Sequence, residues 1–88
     1  MFVVSAHLKN DHLSRLSFTF VVDIVTVMGT ECVETDLLKA ELDGKDLSVL
    51  EGAILLTNPD IDALVKRQLA PQIIARLMEE QKTAHVYH

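Results

Sequence analysis

Apolar and polar residues alternate along the first third of the chain, and the longest such stretch is an unbroken run from Leu16 to Met28. Its even positions, Leu16, Phe18, Phe20, Val22, Ile24, Thr26 and Met28, make one nearly all-apolar face. Its odd positions begin polar at Arg15, Ser17 and Thr19 and turn apolar at Val21, Val25 and Val27, with Asp23 among them. Side chains alternate between the two faces of a strand, so the pattern predicts one strand over residues 15–28, buried on one face throughout and on the other in its far half. Such a strand is longer than usual. It bends, or its far end packs on a helix or another subunit. Phe2 to Leu8 alternates as well, with Phe2, Val4, Ala6 and Leu8 on one face and Val3, Ser5 and His7 on the other. The polar turn Lys9-Asn10-Asp11-His12 joins the two runs, which predicts an antiparallel hairpin.

Gly29-Thr30 ends the long strand. The segment Glu31 to Leu42 fits a helix that groups Val33, Leu37 and Ala40 and stops at Asp43-Gly44, where glycine suits a left-handed C-cap. We take the helix as the expectation. The competing reading is a strand, with Asp43-Gly44 as a type I′ hairpin turn. Ser48 and Glu51 have capping-box spacing, ahead of a short apolar run, Gly52 to Leu56, that fits a helix or a buried strand. Asn58-Pro59-Asp60 is the clearest helix start: asparagine caps, proline suits the first helical position, and Asp60 and Asp62 sit at the positive end of the dipole. At about 100° per residue, Leu64, Val65 and Leu69 cluster with Ile61, whereas Ile73, Ile74, Leu77 and Met78 centre near the opposite side. The stripe shifts at Pro71, and proline inside a helix costs about 3 kcal/mol. Two helices, over residues 59–69 and 71–81, or one sharply kinked helix, facing different surfaces are expected, rather than one helix buried on all sides. Thr83 to His88 fits a closing strand. The expected fold is therefore α+β: one domain over residues 1–88, an N-terminal antiparallel hairpin covered by two to four helices, and a C-terminal helical hairpin broken at Pro71.

Composition adds a constraint on association. The chain has 88 residues, of which 49% are hydrophobic, with three Phe, one Tyr and no Trp. A domain this small buries a modest share of its surface. That much aliphatic side chain is hard to shelter in one copy, which points to a homo-oligomer or to an apolar face turned toward another protein. The net charge of −5 argues against nucleic acid, whose binding needs a basic stripe, and against anionic membrane surfaces. Met1-Phe-Val-Val lacks the basic n-region of a signal peptide. No apolar stretch reaches the roughly 18 residues of a membrane span. One cysteine, Cys32, permits no intrachain disulfide and suits a reducing cytoplasm.

Residues with chemical potential are scattered. His7, His12, His85 and His88 lie near the two ends and approach one another if the terminal segment pairs beside the first strand. Zinc takes three or four nitrogen or sulfur ligands in a tetrahedron, and His85-x-x-His88 on a strand would point to opposite faces, so surface histidines are expected and no metal. Cys32 falls in the first turn of the expected helix, but Glu31 and Glu34 flank it and oppose a thiolate. An inert thiol is expected. Asp23, an acid within an apolar strand, fits an ion pair or a guard against edge pairing, with a perturbed carboxylate in a site as the alternative. Glu31, Glu34, Asp36, Glu41, Asp43 and Asp46 match no calcium loop and suit a solvated helix face, or a recognition face for a basic partner. Lys66-Arg67 suits the end of the first C-terminal helix, and the near-zero charge of the second helix opposes a DNA-reading helix-turn-helix.

The order strand, strand, helix, helix resembles half of a tunnelling fold, the module of pterin enzymes of the 6-pyruvoyl-tetrahydropterin synthase type. Ser5-Ala6-His7 looks like the start of that family's zinc motif, and Thr35-Asp36-Leu37-Leu38-Lys39 and Asn58-Pro59 sit loosely where its helices begin. The family's His-Gly-His pair does not follow, since His12 precedes Leu-Ser-Arg. The resemblance implies, as an alternative, a small-ligand enzyme assembled at a subunit junction. The residues themselves favour a non-enzymatic, cofactor-free interaction module: a homo-oligomeric adaptor, or an inhibitor of a larger protein. Its contacts are expected at Val21, Val25 and Val27 on the strand and at Ile73, Ile74, Leu77 and Met78 on the last helix. A chaperone-like holdase is a further alternative.

Overall fold

A computed structural model of the chain describes residues 1–9 and 14–86, with side chains through Glu80. The alternating segments form an antiparallel meander of four strands in sequential order: β1 (Phe2–Lys9), β2 (Arg15–Val27), β3 (Thr30–Leu42) and β4 (Lys45–Leu47). Two helices follow, α1 (Val49–Leu55) and α2 (Pro59–Val86). The α+β class, the opening hairpin and the long second strand agree with the sequence pattern. The polar turn expected at Lys9–His12 lies outside the described residues from Asn10 onward.

Alternation decides which face is covered. Phe2, Val4 and Ala6 of β1, Phe18, Phe20 and Val22 of β2, and Ala40 of β3 are buried with Val65 and Leu69 of α2. Helix α1 lies against β3. It approaches so closely at Gly52 that a Cβ there would stand 2.7 Å from the Ala40 Cβ and 2.9 Å from Leu37 Cδ2. The capping box at Ser48 is complete, with the Glu51 N–H donating to Ser48 Oγ at 3.1 Å and the Ser48 N–H donating to Glu51 Oε1 at 3.2 Å. Asn58 Oδ1 accepts from the Asp60 N–H at 2.9 Å, which starts α2 where the Asn-Pro-Asp signal puts it.

Four expectations are corrected. Residues 31–42 are strand, not helix, and Asp43-Gly44 is the hairpin turn rather than a helix cap, with φ of 51° and 82°; two positive φ values in succession are the type I′ pattern. Met28-Gly29, at 52° and 81°, makes the same turn between β2 and β3. Helix α2 continues through Pro71, so there is no helical hairpin broken there. Pro71 is exposed, so water can reach the carbonyl it leaves without a donor, and the flanking Gln68 and Gln72 are tied to β1. Ile73 and Leu77 are half-buried in series with Ile61, Val65 and Leu69. Each four-residue step advances about 40° around the helix, so a steadily drifting stripe looks like a jump when its ends are compared. Finally, residues 83–86 extend α2 rather than forming a closing strand. The remainder of that expected strand, Tyr87 and His88, lies outside the described residues.

Candidate functional site

The strands differ in length, and this shapes the surface. Strand β1 pairs with β2 only as far as Phe2 opposite Val22, and β4 pairs with β3 only at Ala40 to Leu42. Beyond Val22, β2 and β3 continue alone as a two-stranded arm, and the molecule is 52 Å long but only 25 by 21 Å across. Residues 30–36 of the arm are exposed throughout. Between Asp23 and Leu38 the arm carries Asp23, Glu31, Glu34 and Asp36 and no lysine or arginine.

Directly paired residues share a sheet face, so the pairing register identifies the side away from the helices. There β1 presents Val3, Ser5, His7 and Lys9, β2 presents the odd residues Arg15 to Val27, and β3 presents Thr30, Cys32, Glu34, Asp36, Lys39 and Glu41. Among the described residues nothing packs over this open face. Val3 is 57% exposed and Val27 51%. Like charges stand opposite one another at both of its ends: Lys9 opposite Arg15, and Asp23 opposite Glu34, with Asp36 opposite Val21 in the next same-face row. Asp23 lies 4.0 Å from the amino terminus. Lys39 holds Glu41 at 3.1 Å and Asp46 at 3.5 Å. The hydrogen bond to Glu41 and the charge of Asp46 raise its ammonium pKa above 10.5. These pairs are at the surface, where water screens them and their contribution to stability is small; because the folded value is the higher one, that small contribution is present at neutral pH and fades as pH rises through the folded value.

The seven interface residues expected from the sequence divide between two surfaces. Val21 and Val25, both half-buried, and the exposed Val27 share the open face. Ile73 packs against the core on the sheet's other side, Leu77 is half-buried, and Ile74 and Met78, each 56% exposed, face solvent on α2. The structure does not unite the two sets. Other exposed apolar groups include Met28 at the arm's tip, Val33 on the arm's helix-side face, and Val49, Leu50 and Ile54 on α1. A shallow groove of about 280 Å³ is lined by Leu42, Leu47, Glu51, Ile54 and Leu55.

The remaining chemical candidates are dispersed. His7 Nδ1 lies 3.0 Å from Ser17 Oγ on the open face; His12, His88 and the His85 side chain are outside the description. Cys32 is exposed on β3, not in a helical turn, with its Sγ 3.7 Å from the Thr30 carbonyl. The acids at 31, 34, 36 and 41 lie on a strand rather than a helix face. Thr35 to Lys39, matched above to the start of a tunnelling-fold helix, is likewise strand. Lys66 is inside α2, not at a helix end, and pairs with Asp62 at 2.7 Å. Among the described residues no group of three or more His, Cys, Asp or Glu is placed to hold a metal, and no helix is long and apolar enough to cross a membrane.

Sequence reasoning missed the treatment of the sheet's first edge. Gln68 Oε1 accepts from the His7 N–H at 2.8 Å while Gln68 Nε2 donates to the His7 carbonyl at 2.7 Å. Gln72 repeats this at Ser5, at 3.2 and 2.7 Å. An amide carries both a donor and an acceptor, so two glutamines four residues apart stand in for a neighbouring strand and close an edge that would otherwise invite pairing. The only local signal is their spacing beside the buried stripe. Comparison with protein families, with curated proteins and with solved structures found no match.

Proposed function

We propose that this chain is a small non-enzymatic interaction module that works by protein–protein contact, associating with itself and serving as an adaptor or inhibitor toward another protein, without cofactor, nucleic acid or membrane. The observation that carries this reading is the aliphatic surface left uncovered. Val3 and Val27 on the open face, Val33 on the arm and Ile74 and Met78 on α2 are all about half exposed or more. Burying one such side chain contributes roughly 1.5–3 kcal/mol, so a few of them sustain an interface. The free thiol at Cys32 suits a reducing cytoplasm.

Sedimentation velocity over a range of concentrations tests the reading, together with Val27→Lys and Met78→Lys. Self-association that either lysine weakens supports it. A monomer at every concentration removes self-association from it. A second reading, the holdase, draws on the spread of apolar groups over the open face, both faces of the arm and α2. Its signature is peptide binding that strengthens with peptide hydrophobicity.

A further inference from the structure

We infer that the open sheet face binds the same face of a second copy turned end for end, so that the Lys9–Arg15 end of each copy lies over the Asp23–Glu34 end of the other. This rests on the self-association proposed above and names its surface and geometry. The charge pattern on the face is the first argument. Like charges directly opposite on neighbouring strands destabilise a sheet, and this face carries such a pair at each end, of opposite sign. Apart from Asp23, which lies 4.0 Å from the amino terminus, the charges at the two ends are not engaged by the ion pairs found among the described residues: neither the Lys9 and Arg15 side chains nor Glu34 and Asp36 take part in one. A two-fold contact must be self-complementary, with residue i meeting j and j meeting i. Reversing one copy about an axis that crosses the strands at Thr19 does this, because Thr19 is midway between Arg15 and Asp23.

The surface between the charged ends is compatible with sheet stacking. On β1 and β2 the axis is surrounded by Ser5, Ser17 and Thr19 and flanked by Val3, Val21 and His7, and on β3 it is bordered by Glu41 and Asp36; the small side chains at the centre let sheets approach to about 10 Å. Lys39 lies beside the axis with its charge already offset by Glu41 and Asp46. The two edge-to-edge contacts open to a second copy are poorer. The outer edge of β1 is closed by Gln68 and Gln72. Self-pairing of the outer edge of β3 along the arm would bring the Glu31, Glu34 and Asp36 segments of two copies together with no lysine or arginine between them. Arg15 and Asp23 are about 27 Å apart along the strand and three strands span about 14 Å, a flat footprint on the order of 400 Å² per copy. That is about half a standard interface, so the dimer is weak, and salt weakens it further.

Reversing charge at one end tests this without touching the core, since Arg15 and Asp23 are both exposed. In an Arg15→Glu homodimer and in an Asp23→Arg homodimer, like charges meet at both ends, and each should dimerise at least about tenfold more weakly than wild type. Mixing the two variants should restore dimerisation, because a heterodimer sets Glu against Arg at one end and Arg against Asp at the other. Sedimentation equilibrium reads all three, with far-UV circular dichroism checking the fold. If either variant misfolds, Lys9→Glu mixed with Glu34→Lys makes the same comparison. A wild-type dimer that neither reversal weakens, or variants that mixing does not rescue, overturns this inference alone. A wild-type monomer overturns the proposed self-association along with it.

Discussion

Replacing both Gln68 and Gln72 by methionine tests how the sheet's first edge is closed. Methionine keeps the length and helix propensity of glutamine but removes the amide, and with it four hydrogen bonds to Ser5 and His7, three of them between 2.7 and 2.8 Å and one of 3.2 Å. A hydrogen bond contributes a net 0.5–1.5 kcal/mol or so. These are at the surface, where water replaces what is lost, so the low end applies and the pair should cost about 2 kcal/mol. For a domain of this size that lowers the melting temperature by roughly 10 °C. Amide exchange gives the residue-level reading. With Ser5 and His7 turned outward, alternation turns the Val4 and Ala6 amides inward toward β2. In wild type the Ser5 and His7 amides should be protected. In the double variant they should exchange about fivefold faster or more, the two hydrogen bonds lost at each residue, about 1 kcal/mol at the same low end, being roughly that factor, while Val4 and Ala6 stay the slower pair. Gln68→Glu keeps an acceptor for the His7 N–H, loses the donor to the His7 carbonyl, and should fall between the two. Wild-type Ser5 and His7 amides exchanging at the rate of an open chain would refute the reasoning.

Pro71→Ala should raise stability by about 1–3 kcal/mol in urea denaturation, because it restores a backbone donor inside a continuous helix; a loss of stability would show that α2 is broken there after all. Gly52→Ala should destabilise by about 1–3 kcal/mol despite alanine's better helix propensity, because the new methyl meets Ala40 and Leu37 at under 3 Å. Unchanged or higher stability there would mean that α1 does not sit so tightly on β3.

The elements that proved legible in the sequence are those whose signal is local. Strands β1 and β2 announce themselves because their buried face alternates without interruption, and Ser48 and Asn58 because a cap acts within three residues. Strand β3 was hidden by a bulge. Its register shifts where Thr19 faces Lys39 and Phe20 faces Leu37, so Leu38 has no direct partner. The extra residue places Val33, Leu37 and Ala40 on the helix side of the sheet, and that spacing of four and then three is also the spacing of one face of a helix. What makes the segment a strand is its pairing with β2, information that lies in another part of the chain. The same holds for the surface. The aliphatic excess and the apolar odd positions of β2 could be read directly. That Val21 and Ile73 lie on opposite sides of the sheet, and that charges of opposite sign occupy the two ends of one face, required the register.

Sedimentation equilibrium of the wild-type chain, followed from micromolar to submillimolar concentration at low and high salt, tests the central claim of contact through an uncovered surface most directly. We predict an apparent mass that rises from that of one 9.8 kDa copy toward twice that value, at lower concentration in low salt than in high. A mass that stays at one copy across the whole range would contradict it.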